Sequence, residues 1–353
     1  MEGNSVHLPF FCIAGRARSG TTLLRMLLDG HPELIIPPEC AFVQHLHSKF
    51  AAVKVWNKAA IKEFIQCLHK EPAYELLHVN EEKLESDILK AGDNSTYGDV
   101  CKLVYANSTS VFTKNHLRTV GDKNPAYSLY LEGLTSIFPE IKFIHITRDY
   151  RDNIRSMQQV DFESGITASL AYRWKYYNNR INSYKKKHPE KFMTVRYEDL
   201  VSDTEGNMKT ICRFLGISFL PEMLDFTDKK GSYYELYPRE ALNKYHNNLF
   251  KPISGVPVNR WKEQMSTFEI RVADAVAGSS AEANSYERMY KKFNPVIWLY
   301  ALPGVIYGRL YFTWGLFINI LPWSLKMRLI HGMAAIFKPY WKRYTVKKNQ
   351  GNR

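Results

Sequence analysis

The apolar residues of the chain follow two periods that alternate from its start. Residues 10–14 form a continuous apolar run of strand length, and Leu23, Leu24, Leu27 and Leu28 then recur as one face of a helix. Residues 141–147 and 192–197 repeat the strand pattern further along the chain. Strands that alternate with helices, with their loops leaving one sheet edge, predict an α/β fold with a doubly wound parallel sheet flanked by helices.

A helical stretch separates the first and second strand signals. Phe42, Leu46 and Phe50 stand at helical spacing, and similar patterns continue to about residue 112. The stretch contains no motif that we can connect with chemistry. Its position between two strands predicts a helical cap over the substrate, at about residues 40–112.

The loop after the first strand has the composition of an anion-binding turn. Gly15 and Gly20 allow the chain to turn tightly, and the N–H groups at the start of the following helix attract a phosphate. The spacing Gly15-x4-Gly20 is that of the nucleoside-triphosphate P-loop, but Thr21 stands where that pattern has lysine. The sequence therefore predicts a P-loop-like anion site, with a nucleotide kinase and a plain strand-to-helix turn as alternatives.

Composition narrows the choice of partners and compartment. The chain has 353 residues and a formal net charge of +13, which implies an acidic partner such as an anionic nucleotide, nucleic acid or a membrane surface. Its five cysteines are scattered without a C-x-x-C pair, which argues against a disulfide framework or a zinc site and favours a reducing compartment. The polar residues 1–7 and the short apolar run after them lack the pattern of a signal peptide, so we expect a cytoplasmic protein.

Four further residues are candidates for chemistry and also have ordinary structural explanations. Glu39 follows two prolines at the start of a helical pattern, where a carboxylate also stabilises the helix dipole. Lys123 ends a short predicted strand, so in a parallel sheet it projects into the ligand crevice, although a lone lysine is usually a surface charge. Arg148 and Ser156 lie on one polar stripe of a helix, which is equally typical of an exposed, salt-bridged face.

Taken in order, these motifs resemble those of the PAPS-dependent sulfotransferases, PAPS being 3′-phosphoadenosine 5′-phosphosulfate. The resemblance is strongest to the tyrosylprotein-like and bacterial branch, and it covers about residues 8–262. The matching segments are Ala17-Arg18-Ser19-Gly20-Thr21-Thr22-Leu23, Asp29-Gly30-His31-Pro32, Arg148-Asp149-Tyr150-Arg151, Ser156-Met157 and Val195-Arg196-Tyr197-Glu198-Asp199-Leu200-Val201. Each motif alone is weak, and the ordered set is specific.

The resemblance implies a role for each candidate residue. Glu39 is the expected base that takes the proton of the acceptor hydroxyl, while Arg18 and Lys123 stabilise the charge of the departing group. The residues expected to bind PAPS are Arg18, Ser19, Gly20, Thr21 and Thr22 at the 5′-phosphosulfate, Arg148 and Ser156 at the 3′-phosphate, and Tyr197 and Arg260 as further contacts. The product is 3′,5′-adenosine bisphosphate (PAP), and no metal is implied, because arginines and a lysine supply the positive charge.

Two departures from the family pattern bear on the base and the acceptor. Many cytosolic members use a first-loop lysine and a histidine base, whereas this chain has Arg18, and His116 lies before the strand that ends at Lys123. Motif register favours Glu39 over His116 as base, and a shared role stays open. The secretory branch has a membrane anchor and disulfides, and their absence from this sequence makes protein tyrosine a less favoured acceptor.

Composition changes abruptly near residue 293, which we take as the boundary between a sulfotransferase domain at 1–292 and an extension at 293–353. Arg309 is the only charge in 293–325, and Pro303 and Pro322 punctuate this aromatic, apolar segment, so neither half reaches the length of a membrane-spanning helix. Residues 326–353 carry basic and no acidic side chains. This pattern predicts peripheral attachment to the anionic inner face of the membrane; a homodimer face, packing on the core and a re-entrant hairpin are the alternatives.

Membrane attachment favours a hydrophobic alcohol, such as a sterol or another lipid, as the acceptor. A protein tyrosine or a phenol is the alternative acceptor, and a P-loop nucleotide kinase or a binding protein without turnover are the alternatives from other classes. Nucleic acid is not expected as a partner, because the sequence has no recognisable reader motif and its excess charge is concentrated in the tail.

Overall fold

The computed structural model describes residues 8–92, 95–161, 163–237, 239, 250, 253 and 258–336. Within them, a sheet of five parallel strands has the order β2-β3-β1-β4-β5. The strands are β1 (Phe10–Ala14), β2 (Leu34–Ile35), β3 (Thr119–Lys123), β4 (Lys142–Thr147) and β5 (Phe192–Arg196). The expected α/β fold with a parallel sheet is therefore confirmed.

Helices pack on both faces of this sheet and on one another. They are α1 (Thr21–Asp29), α2 (Phe42–Phe50), α3 (Lys58–Leu68), α4 (Glu81–Ala91), α5 (Tyr97–Ala106), α6 (Leu131–Ile137), α7 (Tyr150–Met157), α8 (Thr167–Lys187), α9 (Tyr197–Ser202), α10 (Thr204–Leu215), α11 (Lys230–Leu236), α12 (Trp261–Gln264), α13 (Thr267–Ala277), α14 (Pro295–Ile320) and α15 (Trp323–Ile336). Capping residues fix several of the helix starts, such as the Thr96 and Asp99 capping box of α5.

The central strand shows how the two layers form. Every residue of β1 is buried, and alternate side chains point to opposite faces of the sheet. Phe10 and Cys12 belong to a core cluster shared with α2 to α5, whereas Phe11 and Ile13 belong to a second cluster shared with α1 and α10. A strand that is apolar at every position therefore requires helices on both faces.

The stretch expected as a cap is helical, and its helices α2 to α5 contribute to the same core cluster as one face of β1. They form one of the two helical layers that cover the sheet. Whether residues 40–112 also cover an acceptor stays a prediction.

The apolar C-terminal segment forms one long helix. Helix α14 continues through Pro303 and past Arg309, two residues that punctuate this segment in the sequence. Packing of Ile297 and Ala301 in the core cluster of α8 and α13 supports the helix despite the hydrogen bond that a proline removes. None of the described helices is both long enough and apolar enough to traverse a bilayer. The part of the basic tail at 337–353 lies outside the described residues.

Candidate active site

The carboxyl ends of three neighbouring strands bring the predicted motifs to one sheet edge. Strand β1 lies between β3 and β4, with Ile13 in register with Lys123 and Ala14 with His145. The loop after β1, the end of β3 and the start of α7 after β4 are therefore neighbours. Ligands of open parallel sheets bind at this edge.

The backbone of the first loop adopts conformations that suit an anion site. Gly20, the residue before α1, has φ +91° and no side chain that could cap the helix, so the first N–H groups of α1 remain available to an anion. Arg18 also has a positive φ, 65°, which is uncommon for a residue with a side chain. The N–H of Gly15 donates to Ser128 Oγ at 2.8 Å, which fixes the start of the loop.

Gly20 is required by a close neighbour as well as by its backbone angle. A Cβ at this position would lie 2.3 Å from Cδ2 of Tyr197, which is shorter than any real contact. The ring of Tyr197 in turn lies beneath the guanidinium of Arg148, 4.5 Å from ring centroid to Cζ. Tyr197 thus connects the first loop to the start of α7.

The structure brings Arg18, Arg148 and Ser156 together. Nε of Arg18 donates to Ser156 Oγ at 3.0 Å, and Nη1 of Arg148 donates to the carbonyl oxygen of Arg18 at 3.3 Å. Nε of Arg148 is buried and has no hydrogen-bond partner within the described residues. A buried donor of this kind is costly unless a ligand satisfies it, so the cluster has the composition of a phosphate site.

Arg260 belongs to the Arg-Trp segment, which lies beside this cluster. Asp152, on α7, accepts hydrogen bonds from the N–H groups of Asn259 at 2.8 Å and Trp261 at 2.9 Å, and it lies 4.0 Å from Arg148. This fixes the Arg-Trp segment against α7. The side chain of Arg260 is exposed and lies 2.8 Å from the Gln264 amide of its own helix.

The expected catalytic carboxylate and lysine form an ion pair. Nζ of Lys123 contacts Oε1 of Glu39 and lies 3.3 Å from Thr22 Oγ1 in the first turn of α1. The Lys123 side chain is 4% exposed and that of Glu39 is 46% exposed. Burial lowers the pKa of Lys123, which the Glu39 carboxylate partly offsets. A buried cation therefore touches both the anion loop and a solvent-accessible proton acceptor.

His116 lies at the other end of β3 from this pair. It is exposed and precedes Thr119, the first residue of the strand, whereas Lys123 is the last. Five strand residues extend over roughly 13 Å or more, so His116 is at the opposite sheet edge.

Asn153 is a site residue that the sequence reasoning missed. It is fully buried on α7, and its Nδ2 donates to the Ala17 carbonyl at 2.9 Å and to Ser19 Oγ at 3.1 Å. These bonds fix the first loop against α7. The sequence placed Arg148 and Ser156 on one helix, but Arg148 precedes α7, which begins at Tyr150. The position of Asn153 between these two residues was the available signal, and an uncharged amide among charged residues is a weak one.

Thr21, at the position of the Walker lysine, is buried in the first turn of α1. The described residues contain no group of three or more His, Cys, Asp or Glu side chains placed to bind a metal ion.

Comparison with known proteins gives one family. A model of the sulfotransferase family matches residues 9–221. Protein-tyrosine sulfotransferase 1 of Danio rerio is 22% identical over 259 residues, which cover 72% of this chain and 66% of that protein. Omega-hydroxy-beta-dihydromenaquinone-9 sulfotransferase Stf3 of Mycobacterium bovis is 30% identical over 142 residues, covering 34% of this chain and 36% of that protein.

Among solved structures, the sulfotransferase domain from the curacin biosynthetic pathway aligns with a TM-score of 0.46 at 20% identity, covering 79% of this chain and 98% of that chain. The match spans just under two thirds of the length of the Danio rerio relative and about a third of the mycobacterial one.

Proposed function

The chain belongs to the sulfotransferase family, and we propose that it transfers the sulfuryl group of PAPS to the hydroxyl of a hydrophobic alcohol, such as a sterol or another lipid. The observation that carries this proposal is the contact of Lys123 with both Glu39 and Thr22 at the carboxyl edge of the sheet. A proton acceptor, a buried cation and an anion loop meet there. These are the groups that sulfuryl transfer to a hydroxyl requires.

The residues around the first loop fit the donor. The N–H groups and hydroxyls of 19–22 would hold the 5′-phosphosulfate, and Arg18 would neutralise the bridging oxygen. Arg148, with its buried Nε, and Ser156 would bind the 3′-phosphate. Tyr197 and Arg260 would contact the nucleotide beside this cluster. PAPS supplies an activated sulfuryl group whose leaving group is PAP.

In the proposed step, Glu39 takes the proton of the acceptor hydroxyl as its oxygen attacks sulfur in line with the departing phosphate oxygen. The new sulfur–oxygen bond forms as the bond to the 5′-phosphate breaks, and PAP leaves with the electron pair. Lys123 stabilises the charge on the sulfuryl oxygens and the leaving phosphate. We expect the reaction to proceed without a metal.

Exposed apolar side chains on α14 support a membrane-resident acceptor. Leu299 is 74% exposed and Leu310 61%, and aromatic side chains lie among them. Eight Lys or Arg and no Asp or Glu occur in 326–353. An apolar, aromatic face followed by a basic tail favours peripheral binding to an anionic cytoplasmic membrane surface. A second copy of the chain covering this face is the alternative.

Protein tyrosine stays the second candidate acceptor, because the match to a protein-tyrosine sulfotransferase covers 72% of the chain. Incubation with PAPS and a sterol, a phenol and a tyrosine-containing peptide, offered separately, distinguishes these acceptors. We expect sulfation of the sterol or lipid alcohol. Sulfation confined to the peptide would contradict the proposed acceptor and leave the proposed donor intact.

A nucleotide kinase is the candidate from another class, and the position of Thr21 argues against it. The control is therefore ATP with magnesium in place of PAPS. Turnover of ATP in these conditions, with none of PAPS, would contradict the proposed function.

A further inference from the structure

Helix α14, outside the family match at 9–221, packs closely on the first half of α8. Gly304 and Gly308, one turn apart, lie at this interface. A Cβ at Gly304 would lie 2.8 Å from Cβ of Ala168, and one at Gly308 would lie 3.0 Å from the Tyr172 ring. The two helices are therefore in contact without room for a methyl group, so a movement of one displaces the other.

The first half of α8 also forms hydrogen bonds with both segments that are expected to bind phosphate. The guanidinium of Arg16, in the first loop, donates to the carbonyl of Leu170 on α8. The indole Nε1 of Trp174, one turn further, donates to the carbonyl of Arg148 at 2.9 Å. Helix α8 thus lies between α14 and the two segments expected to bind the 5′ and 3′ ends of the nucleotide.

A buried charged cluster extends this connection into α14. Arg173 on α8 is ion-paired with Glu163, and its Cζ lies 3.7 Å from the centroid of the Tyr311 ring on α14. Burial, with the neighbouring charge of Arg173, lowers the pKa of Arg16 to about 10. Since Tyr311 covers Arg173, a shift of α14 changes the surroundings of Arg16 in the first loop.

We propose that α14 sets the geometry of the two phosphate-binding segments through α8, and that an anionic bilayer on the outer face of α14 and a nucleotide in the loops therefore strengthen each other's binding. The bilayer is the occupant that the outer face fits, because exposed Leu299, Leu310 and Trp314 accompany an exposed Arg309 and a tail of only basic charge. The proposal rests on the proposed function for the identity of the nucleotide.

Linkage makes the effect reciprocal: the factor by which vesicles tighten PAP binding equals the factor by which PAP tightens vesicle binding. The test measures the PAP dissociation constant of the full chain by calorimetry in buffer, with phosphatidylcholine vesicles, and with vesicles that also contain phosphatidylserine. We expect the anionic vesicles to lower this constant about fivefold or more, within the usual range of coupling between sites. Equal constants in all three conditions would overturn the proposal.

Variants on the two faces of α14 separate its roles. Gly304→Leu is expected to weaken PAP binding in buffer about tenfold or more, whereas Gly315→Leu, where nothing lies within 4 Å, should not change it. Because Gly304→Leu introduces a large clash, Tyr311→Ala is the milder variant and the exposed Tyr307→Ala its control, with folding checked by circular dichroism. The positioning role would be overturned if Gly304→Leu and Tyr311→Ala bound PAP with the same dissociation constants as their control variants.

Leu310→Glu tests the outer face. We expect it to bind PAP in buffer as the unmodified chain does, and to lose the tightening by anionic vesicles. Sedimentation of the same samples follows the oligomeric state; a dimer that Leu310→Glu dissociates, without vesicle binding by either protein, would assign the face to a second copy and overturn the proposal. A chain that binds PAP in buffer but ignores vesicles contradicts this inference and the proposed membrane contact, and leaves the proposed sulfuryl transfer from PAPS intact. No PAP binding in any condition contradicts the proposed transfer as well.

Discussion

The ammonium of Lys123, at the end of β3, is ion-paired with the carboxylate of Glu39, in the segment that follows β2. The two residues are 84 positions apart in the chain, and the parallel pairing of β2 with β3 brings them together. Lys123 is buried and Glu39 faces solvent, so the pair has one side toward the anion loop and one toward an incoming acceptor.

Glu39→Gln should abolish most of the turnover and leave nucleotide binding unchanged. The amide cannot take the acceptor proton, so we expect kcat to fall about 10²- to 10⁴-fold, the usual contribution of a general base. The PAP dissociation constant, measured by calorimetry, should stay the same. Glu33→Gln is the matched control, because Glu33 pairs with Arg118 at 3.8 Å before the strands that carry the site. Equal losses in both variants would argue against Glu39 as base.

Arg148→Gln should remove the preference for a 3′-phosphate. A hydrogen bond to a charged group contributes about 1.5–3 kcal/mol, so we expect PAP to bind about 10- to 100-fold more weakly. Adenosine 5′-phosphosulfate, which lacks the 3′-phosphate, should bind as before. Arg155→Gln is the control on the adjacent helix α7, since Arg155 contacts Gln158 and Glu269 instead. Weaker binding of both nucleotides by the same factor would contradict a 3′-phosphate role.

Gly20→Ala should impair both stability and nucleotide binding. Its Cβ would collide with Tyr197, adding an overpacking cost of about 1–3 kcal/mol to the cost of a positive φ. Gly216→Ala is the control, because Gly216 has a similar backbone angle, φ +81°, and nothing within 4 Å. Urea unfolding should show a larger loss for Gly20→Ala, and PAP should bind more weakly only there, because Tyr197 lies beneath Arg148. Equal losses of stability in Gly20→Ala and Gly216→Ala would contradict the predicted clash with Tyr197.

Acid should destabilise the fold through His145. Burial lowers the pKa of this histidine to about 4 from 6.5, and its Nε2 lies 3.0 Å from the Asn178 amide oxygen. Between these values the unfolded chain binds a proton that the native chain does not, so stability falls as the pH drops from 6.5 to 4, by up to about 3 kcal/mol.

Urea unfolding across this pH range provides the measurement for His145. His145→Gln cannot titrate, so its stability should fall less with acid than that of the unmodified chain. His69→Gln is the control, because His69 is half-exposed and pairs with Glu81 on the surface. Parallel pH profiles for His145→Gln and the unmodified chain would contradict the assignment.

Much of the fold was predictable because it depends on local patterns. The apolar run of β1 and the helical spacing of α1 determine a strand, a turn and a helix by themselves, and the order of such units predicted the parallel sheet. The position of Lys123 also followed from a rule, since the carboxyl ends of parallel strands share one edge. Its ion pair with Glu39 was not predicted.

Other features depend on tertiary contacts that the sequence does not reveal. Pro303 is a strong local signal for a helix break, but α14 gains enough from packing on α8 to continue through it. Arg16 and Arg173 are two unrelated basic residues in the sequence, and only the fold buries both of them, with Arg173 beneath the Tyr311 ring. Asn153 likewise gains its role from the approach of α7 to the first loop.

The release of PAP from PAPS tests the central claim most directly. The full chain is incubated with PAPS and a sterol or long-chain alcohol in vesicles, with a metal chelator present, and PAP is quantified with time beside the sulfated alcohol. We predict equal amounts of PAP and sulfated product, with the Glu39→Gln variant producing little of either. Two results would contradict the account. One is transfer that requires a hydrolysable nucleoside triphosphate, and the other is a protein that binds PAPS but forms no PAP.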